Sequence, residues 1–235
     1  MIEANLEFAA GSLKQVLKKL LSLPADLRPT HHSFGEDERG KLIADPERFM
    51  HSAAEQSPGP YLTGLRCSYD LSVPRAKPIR CSGELDVDHS LAKQLLVHMA
   101  TARPIFGFAC AADERHQRNR VTVTQGVNTI ESWVGRDTQK YVPGLYWLTL
   151  IPAALADQHG VPLSAIKKVA QEHVELDSDQ HLFRFYERPE NWRDISAVAE
   201  LCASLPGLFD VQKVKPHLQA AKNFLELEAI LKTYA

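Results

Sequence analysis

Cysteine is scarce in this sequence, and no two cysteines stand close together. The four are Cys67, Cys81, Cys110 and Cys202. Structural zinc sites use ligands in short spacings such as Cys-x2-Cys, and the sequence contains none. In a reducing compartment, cysteines pack as small hydrophobic residues. We therefore expect buried thiols without a disulfide, no metal and no cofactor, in a cytoplasmic protein.

Excess charge and long apolar runs are also missing. The net charge is -2 and the pI is near 6.6, which gives no electrostatic reason to expect direct nucleic-acid or membrane binding. No apolar run reaches the roughly 18–20 residues of a membrane-spanning helix. The first residues lack the basic-then-apolar order of a secretory signal. With 235 residues, of which 44% are hydrophobic, the chain can bury a core in one domain or two small ones.

The densest aromatic content lies between Glu131 and Pro152, which holds two of the three tryptophans. Along 145–151 both alternating faces are largely apolar, which predicts a strand in the interior of a sheet, covered on both sides. The segment before it is predicted to be a loop. Burial of a strand does not explain why this loop collects the large or charged residues Trp133, Arg136, Asp137, Lys140 and Tyr141.

The clearest alternation of apolar and polar residues predicts two neighbouring antiparallel strands with one wet face. The apolar faces hold Leu65, Cys67, Tyr69, Leu71 and Val73 in the first strand, and Ile79, Cys81, Leu85 and Val87 in the second. The wet face carries Asp70, Glu84 and Asp86, with Asp88 just beyond. Converging carboxylates can hold magnesium, but Arg66 and Arg80 share this face and can neutralise them. A solvated strand face is favoured, and a basic protein surface is a better candidate ligand than a metal.

Several helix starts can be read from capping residues. Ser12 with Gln15 forms a predicted capping box, and Asp45 is followed by a proline in the first turn. Asp88 is predicted to cap a third helix, and a final helix is predicted from about Pro216.

Two polar segments have open interpretations. Glu36, Asp37 and Glu38 form an acidic triplet, which is either a solvated face or a partner-binding patch. The segment 113–120 contains Arg115, Arg118 and Arg120. Such a cluster can contact phosphate, although three arginines beside two acids are more typical of a solvated loop.

The order of elements predicts an α+β fold. We expect a mixed, mainly antiparallel twisted sheet with helices packed against it. Residues 1–235 are predicted to form a single domain with two lobes of similar α+β character, roughly 1–120 and 121–235.

Two motifs resemble a known family. They are Trp133-Val134-Gly135-Arg136-Asp137 and Pro143-Gly144-Leu145-Tyr146-Trp147-Leu148-Thr149-Leu150, followed by Phe183-Arg184-Phe185-Tyr186, Pro189 and Trp192. The chain thereby resembles bacterial immunity proteins of type VI secretion and polymorphic-toxin systems, in particular the immunity protein 52 family. The resemblance implies stoichiometric inhibition of a cognate toxin, expected to be a nuclease effector, and no catalytic residues.

The resemblance implies a surface that binds a toxin, and we expect two groups of contact residues. The first is Trp133, Arg136 and Tyr141 as anchors, with Asp137 as a hydrogen-bonding partner. The second is acidic and suits a basic nuclease surface: Glu36, Asp37, Glu38, Glu84 and Asp86. The structural alternatives are that Trp133 is a core residue, and that Arg136 and Asp137 form an internal pair.

Two other classes of function stay open. One is a small metal-dependent hydrolase or phosphodiesterase that uses the Asp70, Glu84 and Asp86 face with a histidine. Against it, the sequence has no Gly-x-Ser-x-Gly, P-loop, His-x-x-x-His or Gly-x-Gly-x-x-Gly motif. The other is a homo-oligomeric structural protein, with the aromatic loop as its self-interface. A homodimer is also compatible with the immunity interpretation.

Overall fold

The computed structural model describes residues 1–35, 40–177, 179–194 and 196–235, without the side chains of Gln125 and Asp194. The acidic triplet Glu36, Asp37 and Glu38 lies outside the described residues, so its two interpretations stay open.

Within the described ranges, ten strands form one sheet, and a separate hairpin of two strands lies beside it. The strands are β1 (Ile2–Phe8), β2 (Pro29–Ser33), β3 (Lys41–Leu42), β4 (Tyr61–Gly64), β5 (Cys67–Ser72), β6 (Ile79–Leu85), β7 (Phe106–Ala111), β8 (Arg120–Gln125), β9 (Asn128–Trp133), β10 (Leu148–Pro152), β11 (Glu172–Leu176) and β12 (Gln180–Arg184). The large sheet has the order β11-β12-β10-β7-β1-β6-β5-β4-β2-β3. Each neighbouring pair in it runs antiparallel. β8 and β9 form the separate hairpin.

The helices pack against this sheet, which confirms the predicted α+β class. They are α1 (Leu13–Leu21), α2 (Pro46–Ala54), α3 (His89–Ala100), α4 (Ala112–Asn119), α5 (Ala153–Gln158), α6 (Leu163–Val169), α7 (Ser196–Ser204), α8 (Val211–Ala220) and α9 (Phe224–Tyr234), with a 3-10 helix at Pro189–Asp194. In the described part of the chain, none of these helices combines the length and the apolar character needed to cross a bilayer.

Two of the three predicted caps are confirmed. The carboxylates of Asp45 and Asp88 accept hydrogen bonds from the backbone amides of Arg48 and Leu91, at 3.0 and 2.9 Å. The capping box at Ser12 is wrong. The Ser12 side chain makes no cap bond, because its hydroxyl donates to the carbonyl of Ala9 at 2.7 Å instead.

The aromatic-rich strand lies in the interior of the sheet, as predicted. β10 stands between β7 and β12, and Leu148 to Ile151 are buried on both faces. It begins three residues later than the apolar run suggests. The amide of Tyr146 donates to the hydroxyl of Thr149 at 2.8 Å, and that hydroxyl donates to the carbonyl of Tyr146 at 3.0 Å. This local turn occupies groups that a strand would use for pairing.

The two faces of the sheet differ. On one face, Leu6 and Cys81 belong to the main hydrophobic core together with α1 and α3. On the other face, β1 presents polar side chains that contact the segment after β7: Glu3 pairs with Arg115 at 2.7 Å, and Glu7 accepts a hydrogen bond from Thr138 at 2.6 Å. The middle of the sheet is therefore covered on both sides.

A second, smaller core lies under the β8–β9 hairpin and the C-terminal helices. It consists of Val121, Val134, Phe209, Val211, Val214, Leu218, Leu227 and Leu231. Two predictions fail here. The segment 113–120 is mostly helix α4 rather than a solvated loop, and the predicted single final helix is two helices. Asp210 caps α8 through the amide of Gln212 at 2.9 Å, so Pro216 lies inside this helix and does not begin it.

The four cysteines are free and buried, as expected from the sequence. Burial raises the pKa of the Cys81 thiol to about 12, which keeps it neutral. Leu65, in contrast, was expected on the apolar face of the first alternating strand, yet it is 79% exposed. It precedes β5, which begins at Cys67.

Candidate functional site

The prediction that Trp133 lies on a loop is wrong, because this residue ends strand β9. Trp133, the first predicted anchor, packs on helix α4. The guanidinium of Arg115 lies 4.6 Å from the centroid of its ring, and His116 contacts the ring edge-on with centroids 5.3 Å apart. The indole is half-buried. A cation over an aromatic face is attractive, so Trp133 helps to hold α4 against the hairpin.

Gly135, Lys140 and Tyr141 together hold the end of the last helix, and we call them the C-terminal clamp. The amide of Gly135 and the hydroxyl of Tyr141 both donate to the carbonyl of Tyr234, at 2.7 and 2.8 Å. The Lys140 ammonium donates to the carbonyl of Thr233 at 2.8 Å. The last carbonyls of a helix have no partner within it. The clamp supplies those partners and fixes α9.

Gly135 can occupy its place in the clamp only because it has no side chain. Its φ is +76°, in the left-handed region that favours glycine. A Cβ there would also lie 2.2 Å from the ring of Phe209. Backbone conformation and close packing therefore explain why the third residue of the Trp-Val-Gly-Arg-Asp motif is glycine.

Arg136 and Asp137 do not form an ion pair with each other, which was the predicted alternative to a role in toxin binding. Asp137 caps the following turn, since its carboxylate accepts from the amide of Gln139 at 3.0 Å and lies 3.3 Å from the Lys140 ammonium. Arg136 lines a small pocket together with Arg80 and Arg115. Both residues are half-buried.

The acidic strand face lies on the part of the sheet that is open. Asp70, Glu84 and Asp86 are exposed. Among the described residues, none of the three has an ion-pair partner. The expected neutralisation by Arg80 does not occur, because Arg80 turns to Glu7 at 3.4 Å. Arg66 forms no ion pair with them among the described residues either, although its backbone carbonyl accepts from the amide of Asp86 at 2.9 Å. The three carboxylates are therefore unpaired, with one arginine nearby.

The strand register places apolar groups beside these carboxylates. Tyr61 on β4 stands directly opposite Asp70 on β5, and Glu84 on β6 is diagonal to Asp70, at about 7–8 Å. Tyr61 is 45% exposed, and Leu42 on the edge strand β3 is 64% exposed. We call Leu42, Tyr61, Asp70 and Glu84 the open sheet face. Sequence reasoning missed Tyr61 and Leu42, although the alternation of Tyr61 with the buried Leu62 was a usable signal.

A buried ion pair lies on the opposite side of α4 from solvent. The Arg118 guanidinium donates to the Glu114 carboxylate at 2.9 Å, and Glu114 is completely buried. Next to it, the Tyr146 hydroxyl donates to the Asn119 side chain at 2.6 Å, and that side chain donates to the carbonyl of Val134 at 3.0 Å. The network joins α4 to the strand-and-turn segment 134–146.

A large cleft, with a volume of about 1150 Å³, opens between α4, the hairpin and α7. The arginines that line it are paired with acids: Arg118 with Glu114, Arg120 with Glu131, and Arg193 with Asp113. Arg115, the third member of the predicted basic cluster, pairs with Glu3. The arginines of 113–120 therefore carry no spare charge for phosphate.

The Glu114 carboxyl is expected to make stability depend on pH. Burial raises its pKa from the ordinary 4.5 to about 7, while Arg118 lowers it. The folded protein holds this proton more tightly than the unfolded chain does, so the stabilisation is complete below pH 4.5 and is lost as the pH rises through about 7. Urea unfolding between these pH values should show a loss of up to about 3 kcal/mol. Glu114→Gln should remove this step, and an unchanged pH profile in that variant would refute the assignment.

Within the described residues, no group of three or more His, Cys, Asp or Glu side chains is placed to hold a metal ion. No protein-family model matches the chain. Comparison with curated proteins and with solved structures likewise finds no match. The resemblance to immunity proteins therefore stays a prediction.

Proposed function

We propose that this protein is a bacterial immunity protein that binds a cognate secreted antibacterial toxin and neutralises it by stoichiometric protein–protein inhibition. The expected target is a nuclease effector acting in the cytoplasm, where we also place this protein. The proposal uses no cofactor and no direct contact with nucleic acid. The observation that carries it is the open sheet face, where Asp70 and Glu84 stand exposed and unpaired beside Tyr61.

The chemistry of this face suits a basic protein. A nuclease presents Lys and Arg to the phosphate backbone of its substrate. Unpaired carboxylates attract such a surface, speed its association and select it over neutral partners. Exposed Tyr61 and Leu42 add apolar contact area at the centre and edge of the same face. Aromatic anchors of this kind carry much of the binding energy in protein interfaces.

The aromatic loop is less suited to be the main contact surface. Trp133 and Tyr141 already make internal contacts, with Arg115 and with the end of α9. Replacing them would change the stability of the fold as well as any contact with a partner. We therefore propose that the toxin binds mainly to the open sheet face. Arg136 and Asp137 would lie at the periphery of the contact.

Reversing the charge of the open sheet face is expected to abolish protection. Asp70→Lys with Glu84→Lys changes the charge of two exposed side chains, so folding should be unaffected. The association rate with the toxin should fall at least about tenfold at low salt, because electrostatic steering is lost. The experiment co-expresses each variant with the product of the gene directly upstream, counts surviving cells, and measures association by surface plasmon resonance.

The matched control is Glu187→Lys with Glu200→Lys, which makes the same charge change at two exposed acids outside this face. The control should protect as well as the parent protein. Equal loss in both double variants would point to net charge rather than to this face. A neighbouring gene product that is not toxic and forms no complex would remove the basis of the proposed function.

A further inference from the structure

A small pocket lies between the sheet and the turn that follows β9. Its volume is about 50 Å³, and its polar lining comes from Asn5, Glu7, Arg80, Arg115, Asn119 and Arg136. The rings of Phe106, Phe108 and Tyr146 form part of its apolar lining. Pro143 and Tyr146 lie between it and the large cleft beside α4, since they line both. Asp70 of the open sheet face is two strands away from Asn5 in the same row of the sheet.

The charges in this pocket do not balance. Arg115 pairs with Glu3 at 2.7 Å and Arg80 with Glu7 at 3.4 Å. The other oxygen of Glu7 accepts from Thr138. Among the described residues, Arg136 has no carboxylate partner. One guanidinium charge is therefore left over where three guanidinium groups converge.

Two hydrogen-bond donors in the pocket are also unused. The Nε of Arg136 and the Nδ2 of Asn5 are buried and have no partner. The Asn5 oxygen is occupied, because it accepts from Ser82 at 2.8 Å. A buried donor without an acceptor is costly, more so when it is charged. Burial, and then the nearby Arg80 and Arg115, lower the pKa of Arg136, which shows that the surroundings disfavour its charge.

We propose that this pocket binds a small free oxyanion, of the size of phosphate or sulfate, between Arg136 and Asn5. Guanidinium groups offer paired donors that match the oxygens of such ions. On this measure of volume one water needs roughly 10–15 Å³, so the pocket has room for a small ion but not for a large ligand. Arg136 is only half-buried, so an ion can enter beside it.

A bound oxyanion would link the turn at Arg136 to strand β1. That turn is part of the segment that holds the end of α9 through Tyr141 and Gly135. Occupancy of the pocket should therefore stabilise the second core and the C-terminal helix. This inference does not depend on the proposed function, since it concerns the isolated protein.

The test measures thermal unfolding of the purified protein in increasing sodium phosphate, against sodium chloride at matched ionic strength. The parent protein should show a saturable rise in melting temperature of about 2–6 °C that chloride does not produce. Arg136→Gln should weaken the apparent phosphate affinity at least about tenfold. Arg188→Gln removes an exposed arginine outside the pocket and should respond like the parent protein.

A second variant tests the charge argument without removing a guanidinium. Asn5→Asp keeps the shape of the side chain and places a carboxylate in the pocket, so it should raise the melting temperature in chloride and abolish the phosphate response. A phosphate effect that is unsaturable and equal in all variants is a general salt effect, and it would overturn the proposal. An Asn5→Asp variant that still responds to phosphate like the parent protein would overturn it as well.

Discussion

A Glu114→Ala variant is expected to lose about 3–5 kcal/mol of unfolding free energy, whereas Glu114→Gln should stay within about 1 kcal/mol of the parent protein at pH 7. Glu114 is completely buried, and its carboxylate accepts from the Nε of Arg118 at 2.9 Å. Alanine removes that acceptor and leaves an uncompensated guanidinium. Glutamine keeps an acceptor oxygen in nearly the same place.

The small effect of glutamine follows from the protonation of Glu114. Because its pKa is raised to about 7 by burial, the neutral carboxyl is already accessible in the folded protein at pH 7. The neutral amide of the Glu114→Gln variant therefore resembles the protonated carboxyl of Glu114, which is populated in the folded protein at pH 7. The contribution of this site depends mainly on the hydrogen bond to Arg118 and on filled space, and less on full ionisation.

Urea unfolding of both variants at pH 7 measures these differences. The control is Asp113→Ala, which breaks the ion pair of Asp113 with Arg193. Both of those side chains are more than half exposed, so this change should cost no more than about 1 kcal/mol. If Glu114→Ala costs no more than Asp113→Ala, the pair is not buried as described. If glutamine is as damaging as alanine, ionisation of Glu114 is essential.

Local signals in the sequence predicted part of this fold correctly. Asp45 and Asp88 cap helices because a cap is a contact within four residues of the chain. The alternation along β5 and β6 predicted a wet face because each strand has a period of two. Both kinds of signal need no knowledge of distant residues. The antiparallel arrangement and the interior position of β10 follow from the same patterns.

Helix α4 shows why the rest could not be predicted. Its sequence is almost entirely polar, which is typical of a solvated segment, yet Glu114 is buried together with most of Arg118. Their spacing of four residues places them on one side of a helix. Only the contact of Tyr146, from the segment before β10, with Asn119 at the end of this helix shows that this side faces inward. Composition alone cannot show that such a pair is buried.

The candidate contact surface was predicted in the same partial way. Glu84 and Asp86 could be placed on an exposed face from alternation alone. Tyr61 joins this face only through the pairing of β4 with β5, which depends on strand register. Tyr141 shows the reverse error. It was predicted to contact a toxin, but in the fold it makes an internal hydrogen bond that the neighbouring sequence does not indicate. Its partner is the carbonyl of Tyr234, at the far end of the chain.

Trp147→Ala is expected to cost about 3–5 kcal/mol of unfolding free energy, with Trp147→Phe costing clearly less. Trp147 is among the largest fully buried side chains, and its indole N–H donates to the carbonyl of Tyr186 at 3.0 Å. Alanine leaves a cavity and a buried carbonyl without its donor. Phenylalanine fills most of the space and can keep the edge contact with His89, so it loses mainly the hydrogen bond.

The same pair of variants separates a folding role from a binding role for the Tyr-Trp part of the aromatic motif. Urea unfolding gives the stability of each variant, and the co-expression assay gives its protection. Because Trp147 is buried, it cannot contact a toxin directly. Trp147→Phe should therefore protect fully as long as it is folded at the temperature of the assay. If a stably folded Trp147→Phe variant fails to protect, toxin binding depends on a conformation of the protein that the Trp147 indole stabilises. The open sheet face would then not be sufficient for binding.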